Sequence, residues 1–274
     1  MKKLIISYLR NFPIELGKKR LSSIVSLSEL DKEFIFTNDK GLKFILDVSE
    51  YVMKQIYLFG IYEKPYVNYL SSFPQDAIKT IVDIGANIGN YTIALKNAYP
   101  TSTIHSFEPN SINYKRLVNN IELNKFKNIK ANQLGLSDKK GELNLYFDDK
   151  NMGAASLAES AGSKHEVIKL DTLDNYCTQN SIENIDLLKI DIEGGEINCL
   201  KGGVGILEKT KKGIIQLEVD YGHCKRLGYS AEELFEFPIQ FGYQPHLMSK
   251  FGKVYLITQL PDKFIGNVIY LKGY

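Results

Sequence analysis

The stretch Ile81–Thr92, IVDIGANIGNYT, restricts the fold more than any other part of the chain. Its apolar start, from Thr80 to Val82, reads as a buried strand that ends on a carboxylate, Asp83. A turn through Gly85, Asn87 and Gly89 follows, and a helix begins near Tyr91. Two glycines let the backbone turn tightly and approach a bound group where a Cβ would clash. The first turn of the following helix carries N–H groups with no partner inside the helix. A dinucleotide fingerprint G-x-G-x-x-G set on Gly85 needs glycine at 87 and 90, where this chain has Asn87 and Asn90. The pattern that fits is acidic-x-Gly-x-(Gly or Asn)-x-Gly, in which the carboxylate after the strand faces a cationic or amino-bearing ligand rather than a pyrophosphate. This points to S-adenosylmethionine, with Asp83, Gly85, Asn87, Gly89, Asn90, Tyr91 and Thr92 as the expected contacts.

A second acidic residue supports that expectation. Thr103–Phe107 is a short β-rich run with Glu108 at its carboxyl end and Pro109 stopping it. Glu108 lies 19 positions after Gly89 (108 − 89), near the roughly 20 at which an acidic residue accepts hydrogen bonds from an adenosine ribose. Glu108, Pro109 and Asn110 are therefore expected on the cofactor. Further strands near Ile129–Leu134, His165–Leu170, Ile185–Ile190 and Ile214–Val219 alternate with helices, one of them Ser111–Leu123 with Ser111 as its cap. That alternation implies a mostly parallel sheet with ligands at the carboxyl ends of the strands, where Asp83, Glu108, Asp191 and Glu218 all fall. Short links among strands near His246–Met248, Val254–Thr258 and Phe264–Leu271 imply antiparallel pairing at one edge.

Three blocks in order, IVDIGANIGNYT, SFEPN (Ser106–Asn110) and LLKIDIEGGEINCLKGG (Leu187–Gly203), resemble the FkbM family of S-adenosylmethionine-dependent methyltransferases. The similarity runs from about Gly41 to about Gly242, and Lys189-Ile190-Asp191-Ile192-Glu193-Gly194 is its family-specific part. The resemblance implies a Rossmann-like class I methyltransferase fold and methyl transfer, commonly to oxygen, in sugars or natural products. It places the adenine edge at Ser137, and Asp191 and Glu193 on the cofactor side. It also implies that the segment around Glu63 covers the mouth of the cofactor site, although Glu63 itself reads as a first-turn carboxylate facing a helix dipole.

The rest of the chain bounds the reading. It has 274 residues, 44% of them hydrophobic, which suits one large α/β domain, expected over 76–274, preceded by a helical arm, a β-hairpin and a cover helix over 1–75. The hairpin signal is the alternation of Phe34 and Phe36, then Leu42, Phe44 and Leu46, around Asn38-Asp39-Lys40-Gly41. A net charge of +2 lacks the strong basic field of a dedicated nucleic-acid binder. Three widely spaced cysteines read as free thiols in a reducing compartment. The apolar run of the amino terminus is broken by Ser7, Arg10 and Asn11, too early for a signal peptide, and no run approaches the length of a membrane span. A cytoplasmic protein is expected, its basic arm a short solvated helix or a weak membrane-surface contact. Residues 148 to 164, rich in small residues, read as a loop, either a lid or an insertion without a role.

Methyl transfer needs in-line alignment of the acceptor and removal of its proton, and an alcohol benefits from a base. Asp191 is the first candidate because it is anchored at a strand end. Glu218 is the second, and His223, in the loop Asp220-Tyr221-Gly222-His223, the third. The four histidines at 105, 165, 223 and 246 show no ligand spacing, so zinc is not expected; the strand-end carboxylates would suit a hard ion such as Mg²⁺, but no spacing demands a metal and none is assigned. The acceptor is expected to be a small molecule or glycan bearing a hydroxyl. The competing readings are a non-catalytic protein that keeps the cofactor fold and an NAD-linked oxidoreductase, the latter disfavoured by Asn87 and Asn90.

Overall fold

The computed structural model describes residues 2–11, 22, 25, 27, 32–148, 151–156 and 164–274. In chain order the strands are β1 (Phe34–Thr37), β2 (Lys43–Leu46), β3 (Thr80–Ile84), β4 (Thr103–Phe107), β5 (Ile129–Asn132), β6 (Gly135–Leu136) and β7 (Gly141–Asp148). They continue with β8 (Asn151–Ser156), β9 (Lys164–Asp171), β10 (Leu187–Ile190), β11 (Gly213–Asp220), β12 (Gln244–Met248), β13 (Val254–Leu256) and β14 (Ile265–Lys272). The main sheet has eight strands in the order β13-β12-β14-β11-β10-β3-β4-β5. Strands β5, β4, β3, β10 and β11 are mutually parallel, while β14 runs antiparallel between β11 and β12. The short links at the carboxyl end do give antiparallel pairs, but β14 enters the sheet instead of extending its edge.

Side chains alternate across the sheet with period two, and each half of the alternation meets a different layer. Val82, Leu188 and Ile215 face a core shared with Leu173, Ile197, Leu200 and Leu234 from helices Leu173–Gln179, Glu196–Lys201 and Ala231–Glu236. Ile81, Leu187 and Ile214 face the other core, with Ile93 and Leu95 of helix Asn90–Ala98 and with Phe36, Phe44 and Leu46 of the β1–β2 hairpin. Both faces are covered, which suits apolar strands as short and continuous as β10.

The hairpin forms as its turn chemistry predicts, and Asn38 accepts the backbone amides of Lys40 and Leu42. Helix Ser111–Leu123 is capped by Asn110, not Ser111: the Asn110 side chain accepts from the amides of Ile112 and Asn113. Its inner face is also more polar than its apolar positions suggest. Ile112 is exposed, whereas buried Asn120 accepts from Ile45 N and donates to Ile88 O, tying β2 to the glycine turn.

A second sheet has the order β6-β9-β7-β8, and its Leu136, Leu145 and Ile168 line one cavity with Ile84 and Phe107 at the carboxyl ends of β3 and β4. Part of the 148–164 stretch is therefore strand rather than loop, since β8 pairs antiparallel with β7. A lid role for 149–150 and 157–163 lies outside the described residues. The amino-terminal helix Lys2–Asn11 is not solvated all round: Ile6 and Leu9 pack with Leu58, and the Arg10 guanidinium donates to Tyr57 O. Among the described residues no helix is long and apolar enough to cross a membrane.

Candidate functional site

The glycine turn sits between β3 and helix Asn90–Ala98, and its shape follows from crowding. Gly85 has φ +74, and a Cβ there would lie 1.8 Å from the carbonyl oxygen of Asp191. Only glycine lets the end of β3 lie so close to the end of β10. Gly89 has φ +94, and a Cβ there would press on Leu117 Cδ1 at 2.8 Å. The amides of Gly85 and Ala86 both donate to Phe107 O, so the turn is stitched to the end of β4. Glu108 continues that stitching: Oε2 accepts from Asn87 N at 2.8 Å and Oε1 from Asn110 N at 3.0 Å. Burial pushes the Glu108 carboxyl up to about 7 even though both amides favour its charged form.

Beneath the turn a polar row crosses one face of the sheet. Ser106, Asp83, Lys189 and Gln216 are register partners on β4, β3, β10 and β11. Thr92 joins the row from the helix, with Oγ1 2.6 Å from Asp83 Oδ2 and 2.7 Å from Ser106 Oγ. Lys189 Nζ donates to Gly85 O at 2.8 Å and lies 3.4 Å from Asp191 Oδ2 and 3.7 Å from Asp83 Oδ1. It also stands over the Tyr91 ring, 5.3 Å from the centroid. Gln216 donates to Tyr91 Oη and to Asn267 Oδ1, while Tyr91 Oη and Asn267 Nδ2 each donate to one oxygen of Glu63. The positive charge that so many strand-end carboxylates require is thus supplied in part by the chain itself, through Lys189.

On the acceptor side, Asp191, Glu193, Glu218 and His223 meet at the ends of β10 and β11. Burial, then the neighbouring Asp191 carboxylate, pushes Glu193 up to about 7 and raises Glu218 further still. Glu218 Oε2 is buried without a hydrogen-bond partner. His223 Nε2 is 3.5 Å from Glu193 Oε2, and burial lowers the imidazole below its usual value, so it is neutral at pH 7. Residues 221–226 form a helix, not a loop, with Asp220 Oδ1 capping it by accepting from His223 N. That cap fixes where the imidazole leaves the backbone.

One crevice is lined by Gly85, Asn87, Asn90, Tyr91, Glu108, Pro109, Lys189, Asp191, Glu193 and Glu218, together with Tyr62 from the cover segment. An adjoining apolar compartment, sharing Gly85, Pro109, Leu145 and Ile192 with the first, is walled by Phe107, Leu136, Leu143, Ile168 and Ser137. A polar chamber beside an apolar slot fits a ligand with a charged amino-acid tail, a ribose and a flat heterocycle. Of the expected residues, Asp83, Gly89, Thr92, Asn110 and His223 do not line this crevice. Asp83, expected to face a cationic ligand, is fully buried and meets Lys189 instead. Asn110 is a helix cap, and Asn90 clasps the cover segment by accepting from Tyr62 N and donating to Tyr62 O.

Lys189, Gln216 and Asn267 were not expected in the site from sequence, and Glu63, which the resemblance offered as a contact at the site's mouth, was read instead as a first-turn carboxylate. Glu63 makes no cap hydrogen bond, stands at φ +51 before helix Lys64–Leu70, and turns inward to Tyr91 and Asn267; burial, then Asp191, raises its pKa. It does not act as a first-turn carboxylate. For Lys189 a signal existed: a lysine inside a strand buried on both faces demands a buried anion. His105 is a core residue as expected, bonded through Nδ1 to the Tyr176 hydroxyl and pushed down to about 4 by burial. All three cysteines are buried free thiols.

Comparison with known proteins gives the same direction. The model of the methyltransferase FkbM domain matches residues 83–245. Methyltransferase sdnD of Sordaria araneosa is 31% identical over 185 residues, 56% of this chain and 68% of that protein. Methyltransferase 1 of Beauveria bassiana is 29% identical over 173 residues, 56% of this chain and 66% of that protein, so the chain spans about two thirds of the length of these relatives. The 2-O-methyltransferase NoeI of Sinorhizobium fredii is 23% identical over 205 residues, 69% of this chain and 77% of that protein. The parallel strands β5, β4, β3, β10 and β11, covered on both faces, make a Rossmann-like arrangement, the matched span holds the glycine turn, Glu108, Lys189 and the Asp191–Glu193 segment, and the chain belongs to the FkbM family of S-adenosylmethionine-dependent methyltransferases.

Proposed function

We propose that this protein transfers a methyl group to a hydroxyl oxygen of a polar acceptor, a sugar, glycan or similar hydroxylated metabolite. The observation that carries the reading is the convergence, at one crevice, of the glycine turn and Glu108 with Asp191, Glu193 and Glu218. The naming of NoeI as a 2-O-methyltransferase supports the oxygen acceptor. S-adenosylmethionine supplies the activated methyl group, and the chain's residues bind, align and manage a proton. In this reading Glu108 receives the ribose hydroxyls, Ser137 borders the adenine, and Gly85, Asn87 and Asn90 shape the wall along the amino-acid tail. Tyr91, Thr92, Gly89 and Asp83 hold that wall from behind, with Lys189 as counter-charge. Pro109 and Asn110 fix the approach of Glu108, and Glu193 stands between cofactor and acceptor.

Proton removal belongs to the group at the ends of β10 and β11. Asp191, placed beside Lys189, remains our first candidate. Glu218 needs a neighbouring positive charge before it can accept a proton, because burial and Asp191 favour its neutral form. Single-turnover methyl transfer with Asp191→Asn, Glu218→Gln and His223→Ala at saturating cofactor should show a drop of about 10²–10⁴-fold in the variant that lacks the base. Near-native rates in all three would remove the base from this group. Calorimetry with S-adenosylhomocysteine and NAD tests the cofactor: tight NAD binding with none to the sulfur compound would sink the methyltransferase reading in favour of an oxidoreductase. A screen of labelled methyl transfer into cell-extract fractions addresses the acceptor, and label found only on nitrogen or carbon would refute the hydroxyl.

A further inference from the structure

Glu193, Glu218 and His223 each offer one ligand atom, and these atoms lie within 4.8 Å of one another. His223 Nε2 and Glu193 Oε2 are 3.5 Å apart. In an octahedral site with arms of about 2.1 Å, neighbouring ligand atoms are about 3.0 Å apart and opposite ones about 4.2 Å. Small rotamer changes would close the three atoms on one ion. The charge on this side of the crevice is unbalanced. Lys189 is engaged by Asp83, Asp191 and the Gly85 carbonyl. Glu218 has no ion pair among the described residues; it shares a side-chain hydrogen bond with Asp191, and its buried Oε2 has no hydrogen-bond partner. A second buried polar atom there, His223 Nδ1, also lacks a partner. Two carboxyl groups held this close, with Asp191 acting on both, gain from a cation that replaces the water they have lost.

We propose that Glu193, Glu218 and His223 form a binding site for one divalent cation. The donor set, two carboxylate oxygens and one imidazole nitrogen, suits an oxygen-preferring ion that also accepts a nitrogen ligand, such as Mn²⁺, and it leaves coordination positions open toward the crevice that Glu193 and Glu218 line. The role of the ion rests on the hydroxyl-acceptor reading above: hydroxyls of a polyol can occupy the open positions, which both orients the acceptor and favours loss of its proton. The ion would also hold Glu218 in its charged form.

Mn²⁺ is the probe. Its uptake by the full chain is followed by loss of the electron paramagnetic resonance signal of the free ion, with S-adenosylhomocysteine binding measured in parallel by calorimetry. The unaltered chain should take up a single Mn²⁺. Glu218→Gln, His223→Gln and Glu193→Gln should each weaken uptake by about tenfold or more, the scale on which metal sites respond to lost ligand support. Positions 193 and 223 are partly exposed, so the outcome is read from them should Glu218→Gln not fold. No uptake by the unaltered chain, or uptake that the variants leave unchanged, overturns the cation site while the methyltransferase reading stands. Failure of the unaltered chain to bind S-adenosylhomocysteine overturns that reading, and with it the role assigned to the ion.

Discussion

Lys189→Met is the substitution that most directly tests how the site is held together. Methionine keeps most of the length of the side chain and removes its charge. In the native protein Lys189 Nζ lies 3.7 Å from Asp83 Oδ1, and the side chains of Lys189 and Asp83 are 4% and 0% exposed. Asp83 would keep the hydroxyl and the backbone amide of Thr92, and its Oδ1 already accepts no hydrogen bond. Removing one partner of a buried ion pair costs about 3–5 kcal/mol, because the other charge remains uncompensated. Asp191 is partly exposed and can recruit water, so Asp83 dominates the cost. At an m-value of about 3 kcal/mol/M, the urea midpoint should fall by about 1 M or more. Burial already raises the Asp83 pKa and Lys189 lowers it, so without Lys189 it rises further above its unfolded value. A raised carboxyl pKa gives stability that is present at low pH and lost as pH rises, so the deficit of the variant should be full at neutral pH and narrow as pH falls toward 4. Lys189→Met/Asp83→Asn should recover most of the loss. A single variant within 1 kcal/mol of native, or a double variant no better than the single, would refute the account.

The cofactor site and the turn give two further tests. If S-adenosylhomocysteine binds best to ionised Glu108, its affinity should rise about tenfold between pH 6 and pH 8, around the value of about 7 set by burial. Glu193 also sits at about 7, so Glu108→Gln is the control: it should abolish the step, and a step that survives in that variant assigns it elsewhere. Glu108→Ala should weaken binding by about 1.5–3 kcal/mol, the range of charge-assisted hydrogen bonds, with folding checked by circular dichroism; unchanged affinity in a folded variant removes Glu108 from the ribose. Gly85→Ala should cost at least about 3 kcal/mol, since its Cβ meets the Asp191 carbonyl and cannot move aside. Gly89→Ala should cost less, because the atom it meets is the end of the Leu117 side chain. Thermal unfolding compares the two, and equal losses would contradict the crowding argument.

Local geometry was legible in the amino-acid sequence alone. Glycines at 85 and 89, the period-two alternation of the strands, the turn in the β1–β2 hairpin and the acidic residues at strand ends are all short-range facts. The resemblance carried by the Lys189–Gly194 segment identified the family on the same local terms. Pairings between residues far apart in the chain emerge only from the folded protein. Asp83 and Lys189 face each other because β3 and β10 are neighbours in register, although 106 positions separate them. Glu63 turns inward because Tyr91 and Asn267, the latter on β14, wait there with hydrogen bonds; a dipole argument sees only the next helix turn. Asn110 became a cap because a helix began at Ser111, which removed it from the cofactor surface that sequence position alone suggested, and Asp220 caps the helix that carries His223. Glu193, Glu218 and His223 have no ligand spacing in the chain, since they come from a loop, a strand end and a helix. Burial, register and charge compensation are properties of three-dimensional neighbours, and a one-dimensional pattern reports them only where the chain turns back on itself within a few residues.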